Sequence, residues 1–377
     1  MKTPTRLMSL DAFRGLTMAA MVIVNNPGDW GHAYAPLLHA EWNGCTPTDL
    51  IFPYFLFIVG VSLTLSRGTM GNPWQVVKRS FVILGLGLFL AGFPRFPLET
   101  WRIPGVLARI AVCYLAAAFL FRATAPADGI WDDRKRRSHA LTLGAWAIGL
   151  TLAYWAVMML VPPPGGVAGD LTAAGNIGAF IDRTVFGRHV WSQSKTWDPE
   201  GLLSTVPAIA TTLLGAIAGL WLGSSAEPRR KVYGLLVAGL VATAVGWVWG
   251  FSFPINKNLW TSSYVWFTGG SAAIFLAACY AVIDVVGWKR WSRPLVVLGL
   301  NAITLFVLSG LIAKTLTLIK LTGADGKAVT LRSIIYQSWF VPLGDPYNAS
   351  LLFALANLVL LCGVLYWMDR RGLYLKA

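Results

Sequence analysis

Long apolar runs separated by short polar breaks dominate this chain. Ten of them are long enough to be helices that cross a bilayer, at roughly residues 11–26, 50–66, 76–93, 103–121, 140–161, 202–222, 232–251, 262–285, 294–313 and 350–368. A helix of about 20 apolar residues spans the hydrocarbon slab and satisfies its own backbone N–H and C=O groups, which lipid cannot do. The pattern therefore predicts an all-α, polytopic integral membrane protein, with residues 1–377 forming a single transmembrane domain. Two of the breaks are long, at about 162–201 and 314–349. They are rich in Gly, Pro, Trp and charged residues and suit a vestibule on the outer side. No internal repeat stands out, which argues against a transporter built from duplicated halves.

Composition sharpens this picture. The 377 residues are 56% hydrophobic and 13% charged, against about a quarter charged in a soluble domain. The net charge of +14 does not point to nucleic acid, because the basic residues gather in alternate breaks. Lys2 and Arg6 precede the first run, and further clusters lie at Arg134 to Arg137, Arg229 to Lys231, Lys289 to Arg293 and Arg370 to Arg371. By the positive-inside rule both termini are expected in the cytoplasm. The first run carries Asp11 and Arg14 and lacks a small-residue cleavage site, so it is expected to stay as an anchor. Cys113, Cys279 and Cys362 fall within apolar runs and Cys45 stands alone in a polar loop, which is no disulfide framework. Metal, nucleotide and dinucleotide fingerprints are absent from the sequence, so no metal is expected.

The polar residues that interrupt the apolar pattern are the candidates for chemistry. His39 and Asp49 lie ten residues apart with Pro47 between them, so one helix face cannot present both. A loop folded back onto the mouth of the second helix can. An imidazole takes a proton from an attacking amine and returns it to a leaving group. A carboxylate on its other nitrogen fixes the tautomer and stabilises the imidazolium. The competing reading is an interfacial histidine with Asp49 capping a helix, and the residues alone do not choose between them. His32, His139 and His189 lack comparable sequence neighbours and read as structural or solvent-facing. Asn25 and Asn26 close the first run, either as a helix cap or as amides able to stabilise an oxyanion.

Arg109 sits about seven residues inside the fourth run, roughly 10 Å deep at 1.5 Å per residue. It is either half of a structural ion pair, with Asp49 as the expected partner, or a ligand contact. Asp11 and Arg14 are spaced to pair with each other, and they also make a polar entrance that fits an anionic donor. Asp198 and Glu200 precede the sixth run, and Asn256, Lys257 and Trp260 precede the eighth. Carboxylates, amides and an indole ring are what a sugar site needs, although the same residues also cap helices and mark membrane interfaces.

Seven segments, in order, carry a resemblance: Ser9-Leu10-Asp11-Ala12-Phe13-Arg14-Gly15; Val24-Asn25; His39-Ala40-Glu41-Trp42-Asn43-Gly44 with Asp49-Leu50-Ile51-Phe52-Pro53; Arg102-Ile103-Pro104-Gly105-Val106-Leu107-Ala108-Arg109; Asp198-Pro199-Glu200-Gly201; Asn256-Lys257-Asn258-Leu259-Trp260; and Gly299-Leu300-Asn301-Ala302-Ile303. In these the chain resembles the heparan-α-glucosaminide N-acetyltransferase family and its bacterial relatives. The resemblance implies an acetyl-CoA-dependent enzyme of the bacterial inner membrane. It would carry acetyl from cytoplasmic acetyl-CoA to the amino group of a glucosamine-type sugar on the outer, periplasmic side. His39 falls on the family's catalytic histidine, with Asn25 and Asp49 lining the same centre. Asn43, Asp198, Glu200, Asn256, Lys257 and Trp260 are then expected to hold the sugar, and Asp11, Arg14, Arg109 and Asn301 the donor. A homodimer is also implied. Whether the histidine carries the acetyl group or acts as a base in a ternary complex stays open.

Two departures bear on the acceptor. The animal members carry a luminal domain and an extra leading span that this chain, opening on the Asp11–Arg14 helix, is expected to lack. Ser309-Gly310-Leu311 stands where they have a histidine. A small amino sugar or short oligosaccharide is therefore the expected acceptor. The rival readings are an amino-sugar permease and an O-acetyltransferase acting on envelope polysaccharide.

Overall fold

The computed structural model describes residues 7–66, 71–126, 130–322 and 328–374. Lys2, Arg6 and short parts of the stretches 122–137 and 314–349 lie outside the described residues. Helix α1 runs Met8–Asn25. A long irregular connection then leads through a 3₁₀ turn, Pro47–Leu50, into α2, Ile51–Leu65. There follow α3 Pro73–Gly92, α4 Val106–Thr124, α5 Asp133–Leu160, the short α6 Ile177–Phe186, α7 Leu202–Leu222 and α8 Pro228–Trp249. Helix α9, Ser262–Cys279, widens into a π-helical turn over Tyr280–Val285. The last third holds α10 Arg293–Leu300, α11 Ala302–Leu318, a small antiparallel hairpin pairing Lys320–Thr322 with Ala328–Thr330, α12 Leu331–Ile335 and α13 Pro346–Arg370.

Helix starts follow from local chemistry. Asn72, Asp132, Asn176 and Asp345 each accept a hydrogen bond from a first-turn N–H, at 2.7–3.1 Å, and proline opens α3, α8 and α13 where its missing N–H costs nothing. Each of the ten predicted runs overlaps a helix. Among the described residues, eight helices are long and apolar enough to cross a membrane, and the α10–α11 pair makes a ninth candidate. Helix α1, 18 residues long, is not among these, because its Asp11 and Arg14 leave it less apolar than the eight. The fold is thus that of an all-α integral membrane protein.

The ninth predicted run, 294–313, is not one straight helix. It bends by 70° between α10 and α11. Asn301 stands at the break with φ −113° and ψ 32°, outside helical geometry, while its carbonyl still accepts from Leu305 N at 2.8 Å.

The chain divides into two compact units. One comprises Met1–Leu10, Glu41–Cys45 and Phe52–Gly287, and the other Asp11–Ala40, Thr46–Ile51 and Trp288–Ala377. In the larger unit, Gly239 and Gly246 on α8 meet the backbone of Gly270 and Phe267 on α9 with no room for a side chain, and Gly60 and Gly215 do the same between α2 and α7. Lipid supplies no hydrophobic drive between helices, so such close backbone approach, gaining van der Waals contact, is what holds them. In the smaller unit Gly15 abuts Leu295 O and Gly299 abuts Asp11 O, joining α1 to α10. Tyr336, Ala349 and Phe353 form a second small core there, with the two rings edge to face at 5.8 Å.

Candidate active site

In the smaller unit the connection after α1 brings His39 onto Asp49. Proline at position 47 and the Thr46–Asp49 spacing make a capping box: Asp49 Oδ2 accepts from Thr46 N at 2.9 Å at the mouth of the helix. Ala40 N donates to the same oxygen at 3.1 Å. The Thr46 hydroxyl lies 3.0 Å from it and 2.7 Å from Leu38 O. The other carboxylate oxygen, Oδ1, lies 2.7 Å from His39 Nδ1. The two readings of Asp49, cap and histidine partner, are therefore both fulfilled, one by each oxygen. With the carboxylate accepting, Nδ1 carries the ring proton and Nε2 keeps its lone pair. Asp49 is 1% exposed and His39 49%, so a buried carboxylate supports a half-exposed ring.

Asn25 and Asn26 divide their two expected roles. Asn26 is buried and donates to Val22 O at 2.8 Å and to Ser309 Oγ at 3.2 Å. Asn25 is exposed at the end of α1, and no side-chain hydrogen bond engages it among the described residues. His32 differs from its sequence reading. Its Nδ1 lies 2.7 Å from Asp29, because Asp29 caps the 3₁₀ turn Trp30–His32 and so brings an i, i+3 carboxylate against the ring. That hydrogen bond holds the Asp29 carboxyl below its usual range. Both partners are nearly half exposed.

Of the donor-side candidates in this unit, Asp11 and Arg14 pair at 3.0 Å, and Arg14 also donates to Gly299 O at 3.3 Å. Asn301, at the 70° bend, is 1% exposed and neither atom of its amide has a hydrogen-bond partner. The Thr304 hydroxyl, one turn on, is likewise buried and unpaired. Buried polar atoms are rarely left so unless water or a ligand meets them.

In the larger unit a second cluster forms around an arginine that the sequence reading left among the loop charges. Arg102 forks onto Asp198, with Nε to Oδ2 at 2.8 Å and Nη2 to Oδ1 at 2.5 Å, and Nη2 also reaches Glu200 at 2.5 Å. Asp198 further accepts from Trp191 N and Glu200 N at 2.8 and 2.9 Å. Burial works against both carboxylates. Arg102, Arg109 and Lys257 nonetheless hold Glu200 below its ordinary value, whereas Asp198 ends above its own. The pair holds Arg102 charged well beyond the usual range, burial notwithstanding.

Asn43 and Asn256 meet, Asn256 Nδ2 donating to Asn43 Oδ1 at 3.1 Å. Asn256 is fully buried and its Oδ1 accepts from Leu259 N. Trp260 is 1% exposed, with φ +52°. Its ring packs edge-on against Phe52 and Tyr264 at 5.0 and 5.2 Å, with the Arg109 guanidinium 4.9 Å above it. The hydrogen bonds of Arg109 go to Gly201 O and Ser204 Oγ, while its Nε and Nη1 stay buried and unpaired. The carboxylate expected as its ion-pair partner, Asp49, spends its oxygens on His39, Ala40 and Thr46 instead.

Asp182, on α6, was also not legible as a site residue. It accepts from Leu202 N at 2.9 Å and Asp198 N at 3.2 Å, so it pins the turn that carries Asp198 and Glu200 to the start of α7. Burial pushes its carboxyl up to about 6. The native state then holds a proton that the unfolded chain, with its ordinary carboxyl near 3.8, has released. Stability is therefore expected to fall as pH rises from about 4 to about 6, by roughly 2–3 kcal/mol. Thermal unfolding across that window should show the step, and Asp182→Asn should remove it.

These features define a polytopic, all-helical membrane protein with a supported histidine at a helix mouth and a buried arginine–carboxylate cluster. The catalytic-domain pattern of heparan-α-glucosaminide N-acetyltransferase matches residues 6–130. Two relatives named heparan-α-glucosaminide N-acetyltransferase, from Mus musculus and Homo sapiens, are each 31% identical to it over 353 and 356 residues, covering 80% and 81% of this chain. Over about four fifths of its own length the chain is thus similar to heparan-α-glucosaminide N-acetyltransferases. It spans about half the length of these curated relatives, 53% and 52%.

Proposed function

We propose that this protein is an acetyl-CoA-dependent N-acetyltransferase that moves acetyl from cytoplasmic acetyl-CoA to the amino group of a glucosamine-type sugar on the outer side of the membrane. The observation that carries this reading is the His39–Asp49 pair, with Nδ1 held by a buried carboxylate, which makes Nε2 the basic nitrogen of the neutral ring. The acceptor must arrive at its nitrogen as an amine, not an ammonium. Its lone pair attacks the thioester carbonyl carbon, the C–N bond forms and the C–S bond breaks. His39 Nε2 takes the proton that the new amide nitrogen sheds and returns it to the departing sulfur, which leaves as the thiol of CoA. Asn25, exposed at the end of α1, would donate to the carbonyl oxygen as it gains charge. In the larger unit Lys257 and Asn43 would offer an ammonium and an amide to sugar hydroxyls, with the buried Asp198, Glu200, Asn256 and Trp260 supporting them.

For the donor, Asn301 is the residue whose state fits best. An amide buried without partners at a helix break offers a donor and an acceptor to a polar chain such as pantetheine. Asn301→Leu forfeits no protein hydrogen bond of that side chain, so the fold should persist while KM for acetyl-CoA rises about tenfold. Initial-rate kinetics against acetyl-CoA and against acceptor check this, the acceptor KM staying put. The basic clusters at Arg134 to Arg137, Arg229 to Lys231 and Arg370 to Arg371 would keep the polyanionic nucleotide in the cytoplasm.

A second reading, an amino-sugar permease, draws on that same broken helix, since discontinuous helices build transporter sites. One assay separates them: purified protein with labelled acetyl-CoA and glucosamine. N-acetylated sugar supports the enzyme. Uptake into proteoliposomes without acetyl transfer supports the permease, and transfer to hydroxyls alone would make it an O-acetyltransferase.

A further inference from the structure

The larger unit holds a cavity of about 780 Å³ that none of the candidate active-site residues lines. Its walls come from α5, α7, α8 and α9, and its charged rim sits at one end, where α5 begins, α7 ends and α8 begins. Arg136, Arg137 and Arg230 stand on that rim with one carboxylate, Asp133. Asp133 is already engaged by Ser225, through both its backbone N–H at 3.0 Å and its hydroxyl. Those hydrogen bonds keep Asp133 ionised, so the rim presents three guanidinium groups against one carboxylate and stays net cationic.

Away from the rim the lining turns apolar and smooth: Gly144, Ala218, Ala238, Ala242 and Ala273 leave the space, and Trp221 and Trp266 close it. Both indoles spend their N–H on the protein, Trp221 on Lys231 O at 3.0 Å and Trp266 on Thr151 Oγ1 at 3.3 Å, so they turn only carbon toward the cavity. From Arg230 to Ala242 the groove runs twelve residues of α8, about 18 Å at 1.5 Å per residue. That is slightly more than half of the roughly 30 Å hydrocarbon slab, the depth one leaflet supplies. A groove with a cationic edge at the headgroup level and a carbon-lined trough one leaflet deep has the shape and charge of a membrane lipid.

We propose that this groove holds an acyl chain of an anionic phospholipid drawn from the surrounding leaflet, with its phosphate on Arg136, Arg137 and Arg230. The site is independent of the acetyl-transfer reading. A phosphate diester with a negatively charged headgroup meets the arginines, whereas a zwitterionic headgroup brings an ammonium against them.

Native mass spectrometry of the purified full-length protein, titrated with phosphatidylglycerol or phosphatidylethanolamine, tests this directly. The wild type should retain phosphatidylglycerol about fivefold or more over phosphatidylethanolamine. The double substitution R136Q/R230Q should bring the two lipids to parity. Ala242→Phe, and separately Ala238→Phe, should fill the trough and lower retention of both lipids, each variant first being checked for an unchanged elution profile. Equal retention of the two lipids by the wild type overturns the proposal without reliance on any variant. So does unchanged retention in both phenylalanine variants, or displacement of the bound species by free CoA, which would make the groove a nucleotide site.

Discussion

His39→Ala should reduce acetyl transfer to glucosamine by about 10²–10⁴-fold, the range that a positioned general base contributes. The loss should fall on kcat, because the ring contributes proton transfer and not sugar affinity. The protein should fold normally, since His39 is half exposed and the donors on Asp49 Oδ2 remain. Asp49→Asn is the informative companion. An amide has one acceptor oxygen where the carboxylate has two, so it cannot serve both the cap at Thr46 and the ring at His39. If the amide keeps the cap, its N–H₂ faces the ring, favours the opposite tautomer and places the proton on Nε2. The rate should then drop although every ring atom is present. Wild-type activity should also decline toward acid pH, because the acceptor is then held as its ammonium and cannot attack the thioester. Steady-state kinetics of both variants, with acetyl-CoA saturating, measures all three effects.

Arg102→Ala should be the most damaging single change to the folded state. The guanidinium is 25% exposed, whereas the side chains it holds, Asp198 and Glu200, are 0% and 9% exposed. Removing one member of a buried ion pair strands the other, at a cost of about 3–5 kcal/mol, and here two carboxylates are stranded. The same removal frees the turn that bears Asp198, held otherwise by Asp182 and by Trp191 N. Arg102→Lys should recover only part of the loss, because one ammonium cannot reproduce a planar fork on two carboxylates. Melting in detergent measures both variants. The deficit should shrink as pH falls, when the stranded carboxyls take up protons. A deficit that is small, or that does not change with pH, would show that the cluster contributes packing and not charge.

The membrane helices were legible because a span is a local property: some twenty apolar residues announce it without help from the rest of the chain. The His39–Asp49 pair was legible as a pair of alternatives, and Thr46-Pro47-Thr48-Asp49, a capping-box spacing just before an apolar run, was the local signal for one of them. Arg102 was not legible. It entered the sequence reading only as the first residue of one resembling segment, because its partners lie 96 and 98 positions away. Asp182 was hidden for the same reason, sixteen to twenty residues from what it holds. Trp260 read as an exposed sugar platform because its neighbours are polar. A backbone turn with positive φ rotates it inward onto Arg109 and Phe52, and no composition rule carries that rotation. The bend at Asn301 was signalled only by one amide in an apolar run.

The interleaving of the two units sets an order of assembly. Helix α1 leaves the ribosome well before its partner: the backbone it packs against, Leu295 and Gly299, is made some 285 residues later. At a synthesis rate of about 5–20 residues per second, Asp11 and Arg14 must wait roughly a quarter of a minute or more in the bilayer before α10 arrives. Through that interval their pairing with each other, at i and i+3, is the only neutralisation the helix carries within itself. Breaking it should be felt first as poor membrane insertion and clearance during biogenesis, before any defect in the finished protein.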